Sequence, residues 1–152
     1  MSVECEISTG LLLEGIQLPS ILWQLTNGNI NLIKHNKVAK NLTNDKLSEI
    51  PKLHPEISEN IQRCINTQSK FITEMSYYSS STDEKKDLNI RYSFIAPNLV
   101  LMCIEDITQR KKAEIKLKNS EEKYRFILEN VPDMVLVIDS QGIIHYINEK
   151  AH

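Results

Sequence analysis

The sequence predicts an α+β fold, a five-stranded antiparallel sheet with helices on one face, followed by a long linker helix. Three observations carry this. Apolar runs of strand and helix length alternate in the order β-β-α-α-β-β-β. Asn27-Gly28 between Ile21–Leu25 and Ile30–Ile33 is a tight hairpin signal, because both turn residues tolerate positive φ. The apolar run Leu99 to Ile104 passes without a loop into the charged stretch that begins at Thr108.

Each element has a local reason. Two strands are predicted at 20–26 and 30–35, and Asn36 is placed to cap a short helix carrying Val38, Ala39 and Leu42. A further helix fits 55–67, with Pro55 in its first turn. Its Ile57, Ile61, Cys64 and Ile65 fall on one face. Three strands follow, near 70–78, around 88–94 and at 99–105. In the second, Leu88, Ile90, Tyr92 and Phe94 alternate with Asn89, Arg91 and Ser93, a half-buried pattern. Ser79 to Lys86 reads as a polar loop between strands. Packing the helices on one face of an antiparallel sheet is the economical arrangement. The 99–105 strand is apolar on both faces, so the outer face also needs cover, from residues 9–18, a partner subunit, or both.

Residues 107–131 read as a linker helix. Ala113, Leu117, Ser120, Tyr124, Ile127 and Val131 recur at a/d spacing, a dimerisation seam. Glu114–Lys118 and Glu121–Arg125 have the spacing of Glu-first ion pairs, and Pro132 ends the helix. Beyond it the chain echoes its own beginning. Met134–Ile138, a turn through Asp139 to Gly142, Ile143–Ile147 and Asn148-Glu149-Lys150-Ala151 repeat the early pattern of strand, Gly turn, strand and Asn-x-x-Ala. The organisation is an N-terminal segment (1–18), a complete unit (19–108), the linker (109–131) and the opening hairpin of a second unit (132–152).

Composition bounds the function. With 152 residues, the chain holds one full domain and part of another. A net charge of -2 gives no positive field for non-specific nucleic-acid binding. No apolar run approaches the roughly 20 residues that span a bilayer, and Leu11-Leu12-Leu13 is too short for a signal peptide. Cys5, Cys64 and Cys103 are widely spaced and form neither a disulfide framework nor a metal cluster. A cytoplasmic setting is expected.

The junction Ile104 to Glu114 is the most informative stretch. The Asp106 carboxylate is placed to accept from the backbone of Thr108 or Gln109, and Gln109 to reach back, as in a capping box. Arg110, one turn on, is placed to pair with Asp106. A strand that enters a helix this way can transmit a change in the sheet.

The Asp106-Ile107-Thr108 triplet with its basic helix, the strand order and the Asn-x-x-Ala after the hairpin together resemble a PAS sensor domain over about residues 19–108. Residues 132–152 resemble the start of a second such domain. The helix between resembles the signalling linker of tandem-PAS histidine kinases and cyclic-dinucleotide enzymes. The resemblance implies a sensory input module that binds a small ligand or partner. Asp106, Ile107, Thr108 and Arg110 would act as relay, Ala113, Leu117, Tyr124, Ile127 and Val131 as dimer seam, and a downstream domain of the same chain as output. The alternative is a ligand-free structural module for dimerisation and protein–protein interaction.

In the family it resembles, the pocket is empty in some members and holds haem, flavin or a small metabolite in others, so the cofactor is open at this point. Trp23, Phe71, Tyr92 and Phe94 are the pocket candidates, with a filled core as the competing reading. His54 is the best-placed haem-ligand candidate, but a surface residue in a polar turn is the preferred reading. His35 has no second ligand at metal spacing. Arg63-Cys64-Ile65-Asn66 differs from the Asn-Cys-Arg-Phe-type flavin motif, so Cys64, like Cys103, reads as packing. Haem and flavin are therefore not expected. Neither His145 nor His152 lies in a phosphoacceptor motif. No catalytic constellation and no Gly-rich phosphate loop occurs, so the fragment reads as non-catalytic.

Overall fold

The computed structural model describes residues 12–43, 47–79 and 84–148. The chain divides into two compact units, Met1–Thr108 and Gln109–His152.

In the first unit, β1 (Ser20–Thr26) and β2 (Asn29–His35) form the expected hairpin. Asn27 (φ 50°) and Gly28 (φ 78°) take the left-handed conformations that a two-residue turn of this hand requires. Helices α1 (Lys37–Thr43), α2 (Ile50–Leu53) and α3 (Pro55–Thr67) follow, then β3 (Phe71–Ser79), β4 (Glu84–Ile95) and β5 (Leu99–Asp106). The sheet is antiparallel throughout, in the order β2-β1-β5-β4-β3.

Strand period fixes the inner face. Trp23 is opposite Val100, Ile21 and Tyr92 are opposite Met102, and Ile90 is opposite Ile104. All are buried, and they pack with Ala39, Ile57, Ile61 and Cys64 in one core. On the outer face Leu99, Leu101 and Cys103 are only half-buried. Of the segment expected to cover that face, residues 9–11 lie outside the described residues. The rest holds a helical turn at 12–14 with Leu13 buried.

Several expectations need correction. Glu84 to Lys86 belong to β4 rather than a loop, paired with Ser79, Tyr78 and Tyr77, because β3 runs on and offers them a ladder. Residues 80–83 lie outside the described residues. Leu47–Glu49 form a 3-10 turn that leads into α2, and both were unassigned from sequence. Their burial of Leu47, Ile50 and Pro51 comes from packing against the core, not from periodicity. Ala39 is buried in α1 but Val38 is exposed, and the Leu42 side chain lies outside the described residues.

In the second unit the helix of the junction, α4 (Thr108–Asn130), continues from Gln109, and the short strands β6 (Leu136–Ile138) and β7 (Ile144–Ile147) pair antiparallel. Gly142 again has positive φ, 81°. Residues 149–152, including Ala151 and His152, lie outside the described residues. Along α4, Arg110 pairs with Glu114 and Lys118 with Glu122, base first, so Glu114 and Lys118 meet other partners than the Glu-first pair expected. Leu117, Tyr124 and Ile127 of the seam are exposed in the single chain.

Candidate functional site

The strand-to-helix junction is built on β4 as much as on β5. Antiparallel pairing puts Asp106 opposite Leu88, so Asp87 faces the start of the helix. The Ile107 amide donates to the Asp87 carbonyl at 2.9 Å. The Asp87 amide donates to Thr108 Oγ1 at 3.0 Å, and the Thr108 amide donates to Asp106 Oδ1 at 3.0 Å. The Thr108 hydroxyl lies 2.5 Å from that same Asp106 oxygen. Lys86 Nζ holds the other carboxylate oxygen, Oδ2, at 3.3 Å. Ile107 and Thr108 are buried, whereas the Asp106–Lys86 pair is partly open to solvent. Burial pushes the Asp106 carboxyl up, but the Thr108 hydroxyl and amide and the Lys86 ammonium outweigh it and hold it below the usual carboxylate range.

Three of the four proposed relay residues therefore share one network: Asp106, Ile107 and Thr108. Arg110 pairs with Glu114, and the expected Asp106–Arg110 pair gives way to Asp106–Lys86. Thr108 receives the cap in place of Gln109, its amide and its hydroxyl both donating to Asp106 Oδ1. Lys86 and Asp87 were missed from sequence. Their role follows from strand register: Lys86 closes the run that reads as a loop, and Asp87 falls between that run and the strand expected from Leu88.

The aromatic pocket candidates separate. Trp23 and Tyr92 are fully buried, Phe71 stacks on Tyr92 (centroids 5.2 Å apart, 23° between planes), and Phe94 is half-buried against the core. They pack in or against the core on the inner face of the sheet. Of the four, Tyr92 lines a cleft of about 270 Å³ between α3 and the β3 edge, with Glu56, Glu59, Asn60, Thr73 and Met75. Burial pushes the Tyr92 phenol up to about 12. A shallower groove of about 670 Å³ runs between the β1–β2 turn and Pro51, Ser58 and Gln62.

The described histidines and cysteines have structural partners. His54 is half-buried, edge-on to Tyr77 with centroids 6.3 Å apart. His35 Nδ1 lies 3.1 Å from the Asn36 carbonyl. The Cys64 thiol donates to the Ser69 carbonyl at 3.1 Å, and burial raises its pKa, which disfavours the thiolate. His145 Nε2 pairs with Asp139 Oδ2 at 2.9 Å in the β6–β7 turn. This contact, with the backbone amides of the turn, holds the exposed Asp139 carboxyl below its usual range. Among the described residues no group of three or more His, Cys, Asp or Glu side chains could hold a metal. No described helix is long and apolar enough to cross a membrane.

The strand order, the helices on the inner face and the junction define the first unit as a PAS-fold domain. Residues 122–152 match the family model described as PAS domain. The fold resembles the Rhodobacter sphaeroides LOV protein (10% identity, 70% of this chain and 69% of that one, TM-score 0.52). It also resembles an RNA-binding light-oxygen-voltage receptor (12%, 82% and 38%, TM-score 0.58) and the PAS domain of Bordetella pertussis BvgS (10%, 78% and 98%, TM-score 0.50). No curated protein sequence matches the chain.

Light-oxygen-voltage neighbours raise the question of flavin. Here Trp23, Ile61, Tyr92 and Met102 occupy the space between the helices and the inner sheet face, all fully buried. The one cysteine in the facing helix, Cys64, spends its thiol proton on Ser69.

Proposed function

We propose that the first unit is a sensory input module. A change in its sheet is relayed through Asp106, Ile107 and Thr108 to the helix that follows. The observation that supports this is the hydrogen-bonded clamp of the junction onto Asp87 and Lys86 of β4. It makes the start of the helix answer to the spacing of two strands, not one. On this reading Arg110 continues the relay down the helix. Ala113, Leu117, Tyr124, Ile127 and Val131 close a homodimer, and residues 132–152 open a second PAS domain. A cytoplasmic histidine kinase or cyclic-dinucleotide enzyme then supplies the output.

The filled inner face favours a second reading, a ligand-free module for dimerisation and protein–protein contact. One experiment separates the two. Output is measured against stimulus in the full-length protein and in its Asp106→Ala variant. The sensory reading expects binding to be retained and the response to be lost. An unaltered response would leave the structural reading.

A further inference from the structure

We propose that the cleft between α3 and the sheet edge binds a small organic ammonium ion, accepted by the Glu56 and Glu59 carboxylates and the Tyr92 hydroxyl. This deepens the sensory reading and rests on it, since it names the ligand class of that input.

The first support is charge. Glu56 and Glu59 project from the side of α3 that faces β3, and no lysine or arginine lines the cleft. Arg63, the nearest base along this side of the helix, lies over the Phe71 ring, 4.7 Å from its centroid, in a cation–π contact. The charged groups of the lining itself are all carboxylates, which favours a cation over an anion in the cleft.

The second support is independent of charge. Tyr92 is fully buried and lines the cleft. Its hydroxyl lies beside Asn60 and Thr73 yet makes no hydrogen bond of good geometry. A buried hydroxyl without a partner costs free energy, and native structures hold few of them. The phenol stays protonated near neutral pH because burial raises its pKa to about 12, so its lone pairs are available to an incoming donor. An ammonium group supplies such donors. A shift of the half-exposed Asn60 side chain opens the way to the hydroxyl.

Size and lining narrow the class. At about 270 Å³ the cleft is below the range of drug-sized sites. Ile57 and Met75 give it an apolar wall that suits a short carbon chain. A bare metal ion is a poor match, because no three-ligand group exists among the described residues. Tyr92 pairs with Met102 on β5, the strand that ends at Asp106, so occupancy acts on the strand that feeds the junction.

The test is a two-dimensional amide NMR titration of the whole chain with n-butylammonium chloride, against sodium butyrate at matched ionic strength. Saturable shifts centred on Glu56–Asn60 and Thr73–Met75, with smaller ones at Ile104–Arg110, are expected with butylammonium and not with butyrate. Tyr92→Phe and Glu56→Gln should each weaken binding about tenfold, as for loss of one charge-assisted hydrogen bond. Tyr92→Phe removes only an unpartnered oxygen, so without ligand its Tm should rise, which also shows that the variant folds. Equal responses to the two ions, no saturable response, or an affinity unchanged by either substitution would overturn the site. Saturable binding with no shift at Ile104–Arg110 would retain the site and overturn the relay. No binding of butylammonium, with a stimulus response that Asp106→Ala abolishes, would overturn the site and retain the relay.

Discussion

Asn36 and Asn148 occupy equivalent positions in the two units and hold their backbones in the same way. Asn36 exchanges backbone bonds with Ser20: its amide donates to the Ser20 carbonyl, and its Oδ1 accepts from the Ser20 amide. Asn148 does the same with Val135. The Asn36 side-chain amide donates to the carbonyls of Leu18 (2.8 Å), Ile16 (2.9 Å) and Leu13 (3.4 Å). That of Asn148 donates to Asp133 and Leu128, each at 3.0 Å. Both residues are buried. In each unit one side chain ties the end of a hairpin to the helical turn that precedes it, and Leu128 lies in the last turns of α4. Asparagine suits the post because it offers an acceptor and two donors on one short, uncharged side chain.

Asn36→Ala should therefore be among the most damaging single changes in the first unit. It strips the amides of Ser20 and Ala39 and the carbonyls of Leu18 and Ile16 of their partner in a buried setting. A loss of about 3 kcal/mol is expected, since each unsatisfied buried group costs about 1–3 kcal/mol and part of the loss relaxes. Asn36→Asp should be no milder, because its carboxylate would face carbonyl oxygens. Urea unfolding gives the shift in midpoint. A loss under about 1 kcal/mol would mean that water or a moved backbone replaces the side chain.

The acid dependence of the junction follows from Asp106. Its folded-state pKa lies below the unfolded value of about 3.9. The stability it contributes is thus fully present above about pH 4 and is lost as pH falls through the folded pKa. Asp106→Asn should be less stable than wild type at pH 7, by about 1 kcal/mol as for loss of a cap, and should converge with it as pH falls below the folded-state pKa. Added salt should weaken only the share due to Lys86, a pair partly open to solvent. A gap between the two proteins that stays constant with pH would remove the carboxylate from the account.

How far these sites were legible in the sequence depended on range. Asn36 as a helix cap was readable, because Ala39 is three residues away. Its hold on Leu13, Ile16 and Leu18 was not, because nothing local says where the segment before β1 returns. Asp106 was readable as a cap for the same reason, while Lys86 and Asp87 reach it only through the β4–β5 register. The alternation from Leu88 to Phe94 announced a strand and its inner face. It could not say whether Tyr92 and Phe71 border a void or stack on each other, since aromatic identity serves both. The short helix at Ile50–Leu53 gave no periodic signal, being four residues long with a proline inside.

The purified protein should show featureless absorbance above about 320 nm, because unmodified aromatic side chains absorb in the ultraviolet. The filled inner face and the Cys64–Ser69 hydrogen bond are the grounds. A flavin band would reverse the reading of the inner face. A Soret band that vanishes in His54→Ala would make His54 an axial ligand in place of a partner of Tyr77.

The seam of α4 provides the test of assembly. Leu117, Tyr124 and Ile127 lie on one stripe of α4 with relative exposures of 62%, 65% and 46%, while Ile115 and Phe126 are exposed off it. An apolar stripe at a/d spacing left this open is stabilised when a second copy covers it. Leu117→Glu would place a carboxylate against its symmetry mate in that seam. Two like charges removed from water without partners cost more than the lost leucine contact alone. The variant should be monomeric in light scattering at concentrations where the wild type is dimeric. Its first unit should unfold at the same urea midpoint, because Leu117 lies in the second unit. Leu117→Ile, which keeps the apolar volume, should remain dimeric. A dimer that survives the glutamate unchanged would move the interface off this helix, and the half-buried outer face at Leu99, Leu101 and Cys103 would be the next surface to test.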